Sequence, residues 1–313
     1  MGKSMKGILV SGGNGFLGSH LVEKALAEGM EVTVVDDLST MREINLPNDV
    51  LFVKKKIENF KTDDRFDYVV HMAARPSPED YIQNPIDTLM SNSTGTKVML
   101  DIARRSEATF LYTSSSEIYG DSSVIPTPES YYGNVNSIGP RSCYDEGKRY
   151  SESLIMAYHS HFNLDTRIER PFNVYGPRIR ADGHYGRVIP RFITHTLRNE
   201  DLLIYGDGEQ TRSFLYVDDW VDATWKFLTM ENLSGHVINV GSNVEITINE
   251  LSKKIMTITS SKSKTVKVEG RPDDPRRRAA EITKARNILN WKPNTSLDRG
   301  LSLTVNWFKG RVK

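Results

Sequence analysis

Hydrophobic residues in the first half of the chain fall in short runs set between longer amphipathic stretches. Apolar runs at 8–10, 32–35, 51–53, 68–71 and 110–113 predict strands, and helical spacing over 16–28 and 86–105 predicts helices between them. Strands that read apolar throughout are buried on both faces, and strands separated by helices do not pair as hairpins. The pattern therefore predicts an α/β unit built on a doubly wound parallel sheet with helices on both sides. After Arg170 the rhythm loosens and Pro, Gly and Arg become frequent over 171–190, which predicts a second, smaller α/β unit. The expected boundaries are 1–172 and 173–313, with 214–240 returning to the first unit because 214–228 and 237–240 are strongly apolar; the two units then interleave. The polar stretch 257–264 is expected as an exposed loop.

Composition narrows the function classes. A chain of 313 residues that is 38% apolar has material for a large core and a companion. With 41 Lys+Arg against 40 Asp+Glu, no bulk field draws it to nucleic acid or to an anionic membrane, so an anion has to be held by a local cluster. One cysteine, Cys143, excludes an intrachain disulfide and a cysteine-rich metal site, and no metal is expected. The N-terminal residues lack the apolar core of a signal peptide, and no apolar stretch reaches membrane-spanning length; a cytoplasmic location is expected.

The junction of the first strand and first helix reads Ser11-Gly12-Gly13-Asn14-Gly15-Phe16-Leu17-Gly18. A turn this tight needs residues without Cβ, so that backbone N–H groups at a helix N-terminus can approach a pyrophosphate. Asp36 ends the next strand, where a carboxylate accepts hydrogen bonds from an adenosine ribose and repels a 2′-phosphate. Strand, glycines, helix, strand and acid in this order make Gly12, Gly15, Phe16, Leu17, Gly18 and Asp36 a candidate NAD site and the first unit Rossmann-type. The neighbouring Asp37 leaves the ribose ligand open.

Tyr144 and Lys148, at i and i+4, share a helical face and follow the fifth strand. A phenol near its ordinary pKa of about 10 is a poor base at neutral pH, and lowering it three units takes roughly 4 kcal/mol of phenolate stabilisation. A neighbouring ammonium and a cationic nicotinamide ring have the right sign. Ser114, Ser115, Ser116 and Glu117 end the fifth strand, where they cap a turn or face the ligand crevice.

At these residues the sequence resembles the extended short-chain dehydrogenase/reductase superfamily and is most similar there to the UDP-glucuronate decarboxylases. The segments that carry the resemblance are Ser115-Ser116-Glu117-Ile118-Tyr119-Gly120, Gly139-Pro140-Arg141-Ser142-Cys143-Tyr144-Asp145-Glu146-Gly147-Lys148, Arg170-Pro171-Phe172-Asn173-Val174-Tyr175-Gly176-Pro177-Arg178 and Gly208-Glu209-Gln210-Thr211-Arg212-Ser213-Phe214. The resemblance implies that NAD oxidises the C4 hydroxyl of a UDP-sugar, with Tyr144 and Lys148 as the proton-transfer pair, which also contact the cofactor. It implies that the 4-keto acid loses carbon dioxide and that the ketone is reduced again. By the same resemblance, Ser115 holds the reacting oxygen, Glu117 and Arg278 orient the sugar carboxylate, and Asn173, Arg187, Val188, Arg212 and Arg278 bind the nucleotide sugar. A homodimer is implied as well, packed through the 86–105 helix and the helix that carries Tyr144, with Leu154 and Ile155 as candidate interface residues.

Dehydratases of the superfamily carry Asp-Glu where this chain has Ser116-Glu117, so the acid that protonates a leaving hydroxyl is missing. Four departures from the decarboxylase pattern stand out. Ser115 replaces the more usual Thr and keeps its hydroxyl. Lys56 replaces an adenine-contacting Asp, Ala279-Ala280 replaces Lys-Pro and is expected to loosen the loop that presents Arg278, and the loop around Asp182 and Gly186 is longer. Within the basic stretch, Arg276 and Arg277 read as solvated surface charge, and Arg271 belongs to the same cluster. Two other functions share these motifs: a nucleotide-sugar 4-epimerase, and a non-catalytic NAD-binding regulator. By the resemblance, the presence of Glu117 together with Arg278 favours the decarboxylase over the epimerase, and an intact Ser115, Tyr144 and Lys148 argues against the regulator.

Overall fold

The structure is a computed structural model and describes residues 5–41, 43–181, 187–270 and 276–312. The loop 182–186, including Asp182 and Gly186, and Arg271 lie outside the described residues. The chain begins β1 (Gly7–Ser11), α1 (Phe16–Ala27), β2 (Glu31–Asp36), β3 (Leu51–Lys54), β4 (Tyr68–His71), α2 (Pro78–Gln83), α3 (Pro85–Asn92), α4 (Thr94–Ser106) and β5 (Thr109–Thr113). It continues through α5 (Ser142–Phe162), β6 (Thr166–Pro171), β7 (Val174–Tyr175), α6 (Val188–Leu197), β8 (Leu202–Tyr205), β9 (Thr211–Ser213), β10 (Leu215–Tyr216), α7 (Val217–Thr229) and β11 (Val237–Val240). It closes with β12 (Glu245–Thr247), α8 (Ile248–Thr259), β13 (Thr265–Val268), β14 (Arg277–Arg278), α9 (Thr283–Leu289) and α10 (Leu297–Lys309).

Seven strands form one sheet in the order β11-β6-β5-β4-β1-β2-β3, and every pair from β3 to β6 is parallel. Its inner strands β1 and β4 are buried on both faces, which is why they read as apolar runs; Ile8, Leu9, Val10, Val69 and Val70 have no exposed surface, while Leu51 on the edge strand β3 is exposed. The chain winds outward from β1 to β3, then crosses back to β4 on the other side. That reversal leaves a crevice at the carboxyl ends of β1 and β4, where a doubly wound sheet binds its ligand.

Two compact units emerge. One comprises the described residues up to Ile118, with 135–170 and 221–238; the other comprises 119–134, 171–220 and the chain from Asn239 onward. The segment returning to the first unit is thus shorter than 214–240, because β10 pairs with β7 inside the second. Residues 119–134 also belong to the second unit, where the Thr127 amide donates to the Ala279 carbonyl at 2.9 Å and the Glu281 amide to the Thr127 carbonyl at 3.1 Å. The same bonds correct the expected loosening at Ala279 and Ala280, since both residues are fully buried and clamped.

Three further expectations change. The single helix over 86–105 is two, α3 and α4, broken at Ser93, whose hydroxyl donates to the Leu89 carbonyl at 2.6 Å while the Asn92 amide donates to that of Thr88 at 2.9 Å. Side chains that bond their own helix's carbonyls compete with its ladder, and four polar residues from Ser91 to Thr94 concentrate that competition. The expected loop 257–264 begins late: α8 runs to Thr259 and ends on Ser260 in the left-handed region, φ 54°. Ile155 is not an exposed apolar position but fully buried in the unit's own core, with Leu154 packed against the same cluster.

Candidate active site

The glycine turn is shaped by contacts that no side chain would allow. Gly12 has φ +69°, and a Cβ there would lie 2.7 Å from the Ala73 backbone; one on Gly18 would lie 2.3 Å from the Gly12 carbonyl oxygen. Gly12 and Gly18 thus let β1, the segment after β4 and α1 close together. Gly15 differs, because its Cβ would meet only the Gly12 oxygen, at 3.2 Å. That position leaves room at the mouth of the turn. Gly15 is the N-cap of α1 and offers no side-chain bond, so the first helical amides, those of Phe16 and Leu17 among them, are not capped by it. Asp36 is nearly buried at the end of β2; its carboxylate accepts from the Asn14 amide at 3.1 Å and the Leu38 amide at 2.8 Å, and burial pushes its pKa up. Asn14 ties the turn to the next loop through the Glu43 carbonyl and the Asn45 amide. Open space over Gly15, uncapped amides and a carboxylate at the second strand's end fit a dinucleotide.

Tyr144 and Lys148 lie on the first turns of α5, which packs beside β5, and both are buried, at 4% and 2% exposure. The Lys148 ammonium donates to the Thr113 carbonyl at the end of β5 at 2.8 Å and sits 5.8 Å from the Tyr144 ring centre and 4.6 Å from that of Tyr112. Burial pulls the Lys148 pKa from 10.5 to about 7, against the attraction of Glu152 and Glu169. On its other side Tyr144 stacks on Tyr81, with ring centres 5.1 Å apart and planes 9° from parallel.

Beyond β5, Ser115 is half-buried, and its hydroxyl accepts from the Glu117 amide at 3.2 Å. Glu117 forms an ion pair with Arg141, a residue just before α5 that sequence reasoning passed over as a candidate. Burial pulls the Arg141 pKa down, but Glu117, Tyr81 and Asp145 raise it above its ordinary value. The signal for Arg141 was its place in the segment that carried the resemblance, but nothing along the chain ties it to Glu117.

His71, at the end of β4, is a second residue that sequence reasoning missed. The Ser11 hydroxyl accepts from the amides of Met72 and Ala73, so its own proton goes to His71 Nδ1 at 2.6 Å, which leaves Nε2 to donate to the Ser91 carbonyl at 3.2 Å. Burial, and then the Lys148 charge, lower the His71 pKa to about 3, so it is neutral and links the glycine turn's strand to α3.

In the second unit, β14 and β12 flank β9, and Arg278 is the backbone partner of Arg212. Both arginines are largely buried, and Asn173, at φ 42°, donates from its amide to the Ser213 carbonyl at 2.9 Å. Asn173, Arg212 and Arg278 are thereby gathered around β9. Arg187 precedes α6 as its N-cap and Val188 opens it. Arg276 and Arg277 stay on the surface, paired with Asp207 at 3.1 Å and Glu245 at 2.6 Å. Lys56 pairs with Asp87 at 2.9 Å. Among the described residues no group of three or more His, Cys, Asp or Glu side chains is placed to hold a metal, and no helix is long and apolar enough to cross a membrane.

Residues 8–241 match the model of the NAD dependent epimerase/dehydratase family. UDP-glucuronic acid decarboxylase 4 of Arabidopsis thaliana is 42% identical over 97% of this chain and 69% of its own length, and UDP-glucuronic acid decarboxylase 1 of Xenopus tropicalis is 40% identical over 99% and 74%. Among solved structures, UDP-glucose 4-epimerase of Thermotoga maritima with UDP-glucose superposes with a TM-score of 0.90 at 33% identity, covering 98% of this chain and 100% of that one. MoeE5 in complex with UDP-glucuronic acid and NAD gives 0.85 at 28%, covering 97% and 99%.

Proposed function

The chain belongs to the NAD-dependent epimerase/dehydratase family, and from that premise we propose that it decarboxylates UDP-glucuronate to UDP-xylose through a 4-keto sugar. The observation that carries this reading is identity of about 40% with UDP-glucuronic acid decarboxylases over nearly the whole of this chain, together with the buried Tyr144–Lys148 pair in a unit that carries an NAD-type glycine turn. Bound NAD supplies the oxidation at C4 and the later reduction, and Gly12, Gly15, Phe16, Leu17, Gly18 and Asp36 hold it.

In this reading Tyr144 takes the C4 hydroxyl proton as the ketone forms, and the Lys148 ammonium stabilises the phenolate before that step. Ser115 donates to the same oxygen. The 4-keto acid is a β-keto carboxylate, and its C–CO2 bond breaks because the ketone accepts the electron pair. Glu117, anchored by Arg141, helps orient the sugar during that loss. The enolate then takes a proton from solvent water at the carbon that lost carbon dioxide, and Tyr144 returns its own to the C4 oxygen on reduction. In the second unit, Arg212 and Arg278 supply guanidinium forks suited to the diphosphate and the carboxylate, Asn173 a side-chain amide, and Arg187 and Val188 the nucleoside end.

Incubation with UDP-glucuronate and NAD, followed by mass analysis of the nucleotide sugar, tests the reading. Loss of one carbon dioxide is expected. Unchanged mass with altered chromatography makes the protein a 4-epimerase, the activity of one of its structural neighbours, and unaltered sugar with retained NAD binding makes it a regulator. A homodimer completes the proposal. Ile86 on α3 and Tyr150 on α5 are 73% and 51% exposed, and Leu89, Met90 and Met156 add apolar surface on the same two helices. Sedimentation of the protein at twice the monomer mass is the expected result. The single cysteine, a free buried thiol, suits the cytoplasmic location that belongs to the same reading.

A further inference from the structure

Beneath Lys148 lies a second buried acid that the proposed chemistry does not use. Glu169 on β6 is the register partner of Thr113 on β5, and Thr113 is the residue whose carbonyl receives the Lys148 ammonium. One Glu169 oxygen accepts from the Thr113 hydroxyl at 2.9 Å, and the other accepts from the Thr224 hydroxyl on α7 at 2.7 Å; the residue has no exposed surface. Glu152, one turn beyond Lys148 on α5, is differently placed. It holds Arg170 through two bonds, at 2.9 and 2.6 Å, and accepts from Ser114 at 2.6 Å, and it too attracts the Lys148 charge.

We propose that Glu169 is a positioning residue for catalysis, whose buried negative charge keeps the Lys148 side chain an ammonium beside Tyr144. The argument rests on the function proposed above. An ammonium 2% exposed costs several kcal/mol unless charge of opposite sign is near, and a carboxylate reached through a single threonine supplies it without competing for the site itself. The titratable and charged groups around Lys148 are Tyr144 and Glu152 on α5, Tyr112 on β5, His71 on β4, and Glu169 and Arg170 on β6. His71 is neutral, and Arg170 is taken up by Glu152. Threonine hydroxyls donate to both Glu169 oxygens and favour its charged form, and its attraction opposes the effect of burial on Lys148.

The reactive form, phenolate beside ammonium, carries the same number of protons as phenol beside amine. The balance between them is set by the difference of the two acidities. Removing the Glu169 charge makes the ammonium more acidic and shifts that balance toward the inactive pair.

Glu169→Gln keeps the size and one acceptor while removing the charge. The expected result in the pH profile of turnover is a plateau lower by about tenfold and an acidic limb displaced to lower pH by about one unit, with KM unchanged. Glu169→Asp, which keeps the charge, returns the limb toward the parent position. An acidic limb unmoved in Glu169→Gln, whatever its plateau, overturns the proposal, because a merely structural residue lowers the rate without moving the profile. If Glu169→Gln does not fold, carbon-13 NMR of the unaltered protein reads the same coupling: the Glu169 carboxyl shift follows the Lys148 titration, or the proposal fails. An active Tyr144→Phe enzyme sinks the underlying reading instead, and the NMR coupling then still decides the charge relation alone.

Discussion

Replacing Lys148 with methionine should abolish turnover and yet make the free protein more stable at neutral pH. Burial lowers the folded-state pKa from 10.5 to about 7, and the difference, 10.5 − 7 = 3.5 units, corresponds to about 5 kcal/mol by which the folded protein disfavours the ammonium. Between about pH 7 and 10.5 the unfolded chain binds a proton that the folded one releases, so stability from this group rises with pH by about 1.4 kcal/mol per unit across that window. The contribution is complete only above the unfolded value and lost as pH falls through the folded one. Methionine has no ammonium to bury, but it leaves the Thr113 carbonyl without its 2.8 Å donor, a loss of about 1 kcal/mol. Lys148→Met is therefore expected to be about 3–4 kcal/mol more stable than the parent at pH 7, with the two converging toward pH 10. Urea unfolding of both proteins without ligands at pH 7, 8 and 9 measures the difference. Parallel curves across that range would refute the reasoning, because they would mean that the ammonium is not paying for its burial.

Tyr144→Phe should lower turnover by at least about a hundredfold while NAD affinity stays within about twofold, measured by calorimetry and rate on one preparation; unaltered turnover removes Tyr144 as the base. His71 has a folded pKa lowered from 6.5 to about 3, so its contribution is present above 6.5 and lost as pH falls toward 3. The parent should lose about 2 kcal/mol more than His71→Gln between pH 6.5 and 5 in urea unfolding, and equal losses contradict the buried neutral ring. Gly18→Ala places a Cβ 2.3 Å from the Gly12 oxygen and should cost about 1–3 kcal/mol and most NAD binding, read by thermal unfolding with and without NAD; a parent-like ligand-induced rise in Tm counts against the tight turn.

What could be read along the chain was whatever depends on neighbours in sequence. Apolar runs located the strands from β1 to β5, which inside the sheet are buried on both faces and at the edge strand β3 are not, and the glycine turn and the Tyr144–Lys148 spacing are likewise local. The break at Ser93 was hidden because Ser and Asn do not interrupt a hydrophobic period; only their side-chain bonds to helix carbonyls reveal it. Arg141 and His71 escaped for another reason. Arg141 meets Glu117 24 residues away, and His71 meets Ser11 60 residues away, and those separations have no period to detect. Ile155 illustrates the converse, since an apolar residue on a long helix reads the same whether it faces its own core or a partner.

The motif residues and their supports therefore differ in kind. Tyr144 and Lys148 declare themselves by type and spacing, yet the lysine's pKa of about 7 is a balance, with burial pulling it down and Glu152 and Glu169 pulling it up. In the proposed mechanism that balance depends on the charge and hydrogen bonding one layer back, where Thr113, Glu169, Glu152 and Arg170 are held by β5, α5 and β6 of the first unit. Those residues are ordinary by composition. They matter because parallel strands bring Glu169 into register with Thr113, whose carbonyl receives the ammonium. The sheet thus does more than carry the loops that hold a ligand; its register also sets the charge behind the lysine, and through it the acidity of the tyrosine.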